Sequence, residues 1–343
     1  MDVRVRPSRR YDLPVFATLL GGLPPPLGPG GTTLDIEAAV EAAIRAQEAA
    51  GLEPVTDGRL RTPDLLDLGP ALLTAATPPA TTPVTLASWQ AAAALTDRAV
   101  KQALPGPYTL GRRSARPGSG GSRRIDRARR RDRAAATMAF AEAIRREVDA
   151  LAEAGCPLIE IEELDAHLIG DDEAERRLFR DAHKRITDGV HGTHLSLSIV
   201  GGSAHAAGSG TILGAAYHSL AVDLIAGPDN WYLVAAAPMD RGIVVGTLAA
   251  ADSPTEGPEL LIWAANYAAS TQSRSLIRVG LGTAGGLAKL SWDAAVAKLN
   301  ALGHAAHLAA LPPGEELASS VDPRSIDSRT AALGHRRPSP KRP

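Results

Sequence analysis

One cysteine, Cys156, in 343 residues leaves no internal disulfide framework, and a reducing compartment, the cytoplasm, is the expected location. Aromatic residues make up only 3% and alanine is abundant, so the core has to be built from small aliphatic side chains. An excess of one charge sign is missing too. Lys and Arg total 37 against 38 Asp and Glu, a net charge of -1, so the partners expected are small molecules rather than a nucleic acid or a membrane. The apolar run Val15 to Leu23 is too short to span a bilayer. It runs into Pro24, Pro25 and Pro26 where a signal peptide would need a small-residue cleavage site, and it reads as a buried strand. Composition leaves the oligomeric state open.

What is present alternates. Eight short runs rich in β-branched and aliphatic residues read as strands: Val15 to Leu20, Pro54 to Asp57, Val100 to Leu104, Pro157 to Glu162, Thr193 to Val200, Ala221 to Ala226, Gly242 to Ala249 and Leu276 to Leu281. Between them lie alanine-rich helical patterns. These are Asp35 to Ala50, with Thr33 as candidate cap, Thr137 to Ala154, Asp171 to Asp188, Pro258 to Thr271 and Ser291 to Leu302; Pro228 to Ala237 is at most a short piece. The alternation predicts an α/β fold, a single-domain (β/α)8 TIM barrel over 15-311 with an extension at 1-14 and a disordered tail at 312-343. Residues 111-133 hold ten arginines among Gly, Ser and Pro. They read as a flexible, solvated insertion, or as an anion-attracting loop at the mouth of the barrel.

The stretch Gly155 to Leu164 opens apolar and closes on carboxylates. In a strand Ile159 and Ile161 point one way and Glu160 and Glu162 the other. Burying two acids without partners costs several kcal/mol, so the acids suggest a polar barrel interior. The fifth expected strand repeats the pattern, with His194, Ser196 and Ser198 facing the axis beside them. Asp165, His167 and His205 follow these two strands. Together they make an oxygen and imidazole cluster that could hold zinc, manganese or iron, or carry out acid/base chemistry without a metal. Alternatively Glu162 pairs with a cation and His194 fills a core hydrogen bond. Gly201 to Ser203 and Gly280 to Gly286 are candidate anion cradles.

A family becomes visible in several motifs taken together and in order. They are Ala46 to Leu52 with Val55-Thr56-Asp57-Gly58, then Leu104-Pro105-Gly106-Pro107-Tyr108-Thr109-Leu110, then Glu147 to Gly155 leading into the acidic strand. From about Phe16 to Gly303 the chain resembles the catalytic barrel of cobalamin-independent methionine synthases, in the superfamily shared with uroporphyrinogen decarboxylase. The resemblance implies methyl transfer from a methylated folate polyglutamate to homocysteine, without cobalamin. It also implies a zinc ion, held by His, two Cys and a Glu, that turns the thiol into a thiolate. Here only His194 of that set is matched; Ser196 replaces one cysteine, Gly285-Gly286 replaces the other, and no acid follows Asp223 at Gly227-Pro228.

Residue by residue, the same resemblance places at Glu162 the acid that holds the homocysteine amine, and Glu162, Glu160 and His194 are the candidates for the chemistry. The resemblance assigns Gly21, Gly22, Asp57, Arg59, Tyr108, Thr109, Glu163 and Ser196 to substrate binding. The expected function is thus a methionine-synthase-like methyltransferase with an altered acceptor or mechanism. The alternatives are a metal-free lyase of the decarboxylase type acting on a polyanion, for which Arg59 and the arginine-rich segment would serve, and a catalytically silent ligand-binding barrel.

Overall fold

The computed structural model describes residues 15-76, 82-114, 123-251 and 256-311. The expected extension at 1-14 and tail at 312-343 lie outside the described residues. Seven strands form one sheet: β1 (Val15–Thr18), β2 (Lys101–Pro105), β3 (Leu158–Glu163), β4 (His194–Ile199), β5 (Ser219–Asp223), β6 (Gly242–Ala249) and β7 (Val279–Ala284). Every pairing is parallel and the order is β1-β7-β6-β5-β4-β3-β2. All carboxyl ends therefore lie on one side.

The second expected strand, Pro54 to Asp57, does not form. Val55 makes a single parallel bridge to Val100, and the Glu53 N–H donates to the Ala17 carbonyl of β1 at 2.9 Å. Pro54 has no N–H to give. The backbone of Thr56 is taken by a side chain: its N–H donates to Gln47 Oε1 at 3.0 Å, and Gln47 Nε2 donates to its carbonyl at 2.8 Å. A buried glutamine amide thus stands where a strand ladder would run. The result is a seven-stranded curled parallel sheet whose two edges are joined by an irregular segment, instead of eight regular strands.

Helices α1 (Ile36–Ala49), α2 (Leu68–Ala75), α3 (Leu86–Ala93), α4 (Pro107–Ser114), α5 (Arg123–Glu153), α6 (Glu173–Thr187), α7 (Ser209–Ile212), α8 (Trp231–Ala236), α9 (Pro258–Ser270) and α10 (Trp292–Ala310) occupy the connections. Asp35, and not Thr33, caps α1, its Oδ1 accepting from the Ala38 N–H at 2.9 Å. The arginine-rich segment is not one loop. Residues 111-114 complete α4 and 123-133 open α5, where Arg113, Arg130 and Arg133 pair with Asp165, Asp172 and Glu175. Those acids neutralise the side chains that would otherwise repel one another; residues 115-122 lie outside the described residues. Among the described residues no helix is long and apolar enough to cross a membrane.

Two apolar cores result from strand alternation. The large one fills the space between sheet and helices, with Ala17, Leu104, Ile159, Ile161, Leu197, Val222 and Val245 on the outer sheet face. The small one lies on the inner face, where Phe16, Leu20, Ala221 and Val244 meet. Partners in register share a face, so Lys101, Glu160, Glu162, Ser196 and Ser198 line the inner wall across β2 to β4. The interior is therefore apolar on one side and polar on the other. A Cβ on Gly280 would lie 2.4 Å from the Phe16 ring, so the glycines at 280 and 282 make room for the inner core and do not cradle an anion.

Candidate functional site

Strand β3 divides its acids between two faces. On the inner face Glu162, at the carboxyl end, is held by both terminal nitrogens of Arg59, with Nη1 to Oε1 at 3.2 Å. One turn of the pleat lower, the Lys101 ammonium donates to Glu160 at 3.0 Å, and both side chains are at most 3% exposed. Charges on this wall alternate as Lys101, Glu160, Arg59, Glu162. An isolated buried charge would cost several kcal/mol, and each of these has an opposite neighbour. Burial opposes the Arg59 charge, but Glu162, with Glu160 and Asp57, more than offsets it and raises the guanidinium above its ordinary value.

Local backbone aims Arg59 at this wall. Gly58 and Arg59 both take positive φ, 69° and 56°, and the Arg59 N–H donates to Asp57 Oδ1 at 2.8 Å. Gly22 sits against this turn, with the Leu23 N–H donating to the Gly58 carbonyl at 2.8 Å and its own carbonyl accepting from the Leu287 N–H at 2.7 Å. Gly21, at φ 88°, lies where a Cβ would be 2.4 Å from the Gly286 Cα. Three backbone turns, after β1, after Pro54 and after β7, thus close on one another without side chains between them. Burial raises the Asp57 carboxyl above the usual range, and it does the same to Asp223, which faces inward at the end of β5.

Gly21, Gly22, Asp57, Arg59, Glu160 and Glu162 are therefore brought together. Others are not. Glu163 faces the opposite, outer side, fully buried, where its carboxylate accepts from the backbone N–H groups of Tyr108 and Thr109 and from the Thr109 hydroxyl. It caps the first turn of α4, as expected for an anion at a helix N-terminus. The Pro105-Gly106-Pro107 turn brings backbone close to this acid and not to a ligand: a Cβ on Gly106 would lie 2.1 Å from Glu163 Cδ. Tyr108 donates its hydroxyl to Glu175 at 2.8 Å and His183 Nε2 meets Glu163 at 3.0 Å, so this network is occupied with holding helices on the sheet.

His194 opens β4 beside Leu158, at the amino end of the sheet, four residues below the level where Ser198 pairs with Glu162. Its Nε2 meets Ser219 Oγ at 2.8 Å, and burial together with His218 lowers its pKa to about 4. The expected cluster at the mouth loses its central imidazole. Ser196 stands beside Glu160, inside the wall. Asp165 is bound by Arg113 at 2.8 Å and His205 stacks on Tyr232, so the expected group of oxygen and imidazole ligands does not converge. Sequence reasoning missed Lys101 and Asp223. The signal for Lys101 was a lone cation at inward parity in an otherwise apolar run.

The residues present do not fit the zinc set of the resembling family. Its one matched ligand, His194, is at the far end of the sheet from Glu162, and the Cys156 thiol, pushed up to about 12 by burial, precedes β3. Among the described residues no three His, Cys, Asp or Glu side chains stand close enough to share a metal ion.

Residues 70-207 match the family described as cobalamin-independent synthase, catalytic domain. A B12-independent methionine synthase from a Shewanella species, solved in complex with selenomethionine, is similar in fold: TM-score 0.70, 16% identity, 86% of this chain and 97% of that one. A Listeria monocytogenes protein assigned as a vitamin-B12-independent methionine synthase gives 0.63, 17%, 86% and 98%. A methyltransferase from Methanosarcina mazei gives 0.56, 14%, 88% and 95%. No curated protein matches the chain by sequence. The matched catalytic-domain segment carries both the acidic β3 and the α4 turn that caps on it, and over those residues the chain is similar to the catalytic domain of the cobalamin-independent synthases.

Proposed function

We infer that the chain is a methionine-synthase-like enzyme that transfers a methyl group to a small acceptor held at the carboxyl ends of β1 to β3, without a zinc-bound thiolate. The observation that carries this reading is the Arg59 and Glu162 pair. The acid that the resemblance assigns to an amino-acid ammonium group is already met by a guanidinium on both oxygens. An acceptor bound here has to exchange with Arg59, and a molecule bearing both an ammonium and a carboxylate can satisfy both partners at once. The selenomethionine bound by the Shewanella protein is of that class. A methylated folate is the donor that the family resemblance supplies.

The charge of the wall disfavours a polyanion. Arg59 and Lys101 face Asp57, Glu160 and Glu162, with Asp223 nearby, so the cations are already spoken for. A lyase acting on a polycarboxylate needs cations in excess.

The test is thermal stabilisation by L-methionine and by a tricarboxylate, followed by methyl transfer from 5-methyltetrahydrofolate to homocysteine with and without added zinc. Stabilisation by the amino acid alone, with a methyl-transfer rate indifferent to zinc, is expected. Turnover that requires one bound zinc per chain would overturn the reading. Stabilisation without any turnover would make the chain a binding barrel.

A further inference from the structure

One acid of the inner wall has no cation. Glu160 is met by Lys101, Glu162 by Arg59 from the irregular seam between β1 and β2, and Asp57 by Arg61, whose Nη1 stands 3.9 Å away. Asp223, at the carboxyl end of β5, pairs with no lysine, arginine or histidine among the described residues; burial raises its carboxyl, and only backbone N–H groups act against that shift. Its Oδ1 is occupied, accepting from the Ile225 and Ala226 N–H groups at 2.9 Å each, a turn that fixes the side chain. Oδ2 has no hydrogen-bond partner among the described residues. Unlike Glu160 Oε1 and Ser198 Oγ, which are closed to water, it is not sealed, and Asp223 keeps 4% of its surface.

That oxygen belongs to the same mouth as the Arg59 and Glu162 pair. Gly285, at φ 79°, leaves space beside it: apart from the chain neighbours, Asp223 Oδ2, at 3.9 Å, is the one described atom within 4 Å of the place of a Cβ. Gly286 packs on Gly21 and Gly22, and a Cβ on Gly22 would lie 3.2 Å from the Arg59 Cβ. Glu162, Ser198 and Ala221 share one level of the sheet, and Asp223 is two residues beyond Ala221. At the backbone the two acids are thus two strands, about 10 Å, and one pleat, about 7 Å, apart. Their side chains reach inward over the apolar floor of Leu20, Ala221 and Val244, which shortens the gap to the span of an amino-acid side chain. The charges decide what fills it. An α-amino acid held by Arg59 and Glu162 has its ammonium and carboxylate matched, and a neutral side chain leaves Asp223 a buried acid without a cation, which is costly. A second ammonium at the end of the side chain meets Oδ2 and balances the wall.

We propose that the amino acid held at this mouth is basic, a diamino acid of the ornithine type, whose side-chain ammonium donates to Asp223 Oδ2 while its α-ammonium and carboxylate take the Glu162 and Arg59 ends. This rests on the reading of the mouth as an amino-acid acceptor site, and adds the class of the side chain and the residue that selects it.

Isothermal titration calorimetry on the full chain compares L-ornithine with L-norleucine, its isostere with a methyl group in place of the side-chain ammonium, and with putrescine, which lacks the α-carboxylate. L-ornithine should bind at least tenfold more tightly than either. Asp223→Asn keeps an oxygen for the Ile225 and Ala226 N–H groups and removes the charge, so the ratio of the ornithine and norleucine dissociation constants should fall to within threefold of one. The comparison in the parent decides by itself should the variant not fold. Norleucine bound as tightly as ornithine, putrescine bound as tightly as ornithine, or a preference that survives Asp223→Asn overturns this assignment and leaves the acceptor site standing. Binding of neither amino acid overturns the acceptor reading and this one with it.

Discussion

Arg59 and Glu162, 103 positions apart in sequence, meet through two parallel contacts at 13% and 5% side-chain exposure. A forked guanidinium on a carboxylate is both strong and directional, and this one ties the irregular seam segment to the carboxyl end of β3. Removing one partner leaves the other charge buried and unmet. Glu162→Gln or Arg59→Met should each destabilise by about 3 kcal/mol, while the double variant should cost clearly less than the sum. Urea denaturation of the four proteins measures the coupling. Additive effects would mean that the two side chains do not depend on one another.

Gly106 is a packing requirement of a different kind. With Glu163 Cδ 2.1 Å from the place of a Cβ, even alanine must displace the acid that caps α4. Gly106→Ala is expected to cost about 3 kcal/mol or more. Gly51, at φ 80° with nothing within 4 Å of a Cβ, is the control: its alanine variant suffers only the strained backbone, about 1 kcal/mol. Thermal melting of the two variants separates the cases. Equal losses would show that Glu163 yields freely.

The inward parity of Glu160, Glu162, Ser196 and Ser198 was legible in the sequence because strand alternation alone fixes it. So were the βα order and the amphipathic helix that became the second half of α5. Parity does not fix height, however. His194 shares a face with Ser198 but enters the strand four residues earlier, and only register against β3 reveals that it sits at the opposite end. The seam was illegible for a related reason. Val55 and Thr56 have strand-forming side chains, yet Gln47, nine residues before Thr56 on α1, claims its backbone. The role of Glu163 depended on a long-range contact with the first turn of α4, which no local pattern announces. The arginine-rich segment misled because its neutralising acids lie 42 or more positions away, on or near α6.

Cys156 reports on unfolding. Its thiol is buried, donates to the Leu158 carbonyl at 3.3 Å and is pushed up to about 12, so almost no thiolate exists at pH 8 in the folded chain. An aromatic disulfide reagent should label less than one-tenth of the native protein in the time that labels the urea-unfolded chain completely. The residual native rate should follow global stability and fall in any stabilised variant. Rapid native labelling would place the thiol on a locally opening segment.

His194 links stability to pH with a definite sign. Burial, and then the neighbouring His218, lower its imidazole from the usual 6.5 to about 4, so on acidification the unfolded chain takes up the proton first. Stability from this group is complete above about pH 6.5 and is lost as the pH falls toward 4, by on the order of 2 kcal/mol. His194→Gln can keep a hydrogen bond to Ser219 Oγ while removing the titration. The difference in unfolding free energy between parent and variant should therefore shrink by that amount between pH 7 and pH 4. Carboxylates elsewhere change both proteins alike and cancel in this difference. Zinc supplies a second reading on the same residue. A histidine held as a metal ligand would make the parent, but not the variant, more stable when zinc is added at pH 7, because bound metal excludes the proton. With His194 turned onto Ser219 at the amino end of the sheet, the two proteins should instead respond to zinc identically.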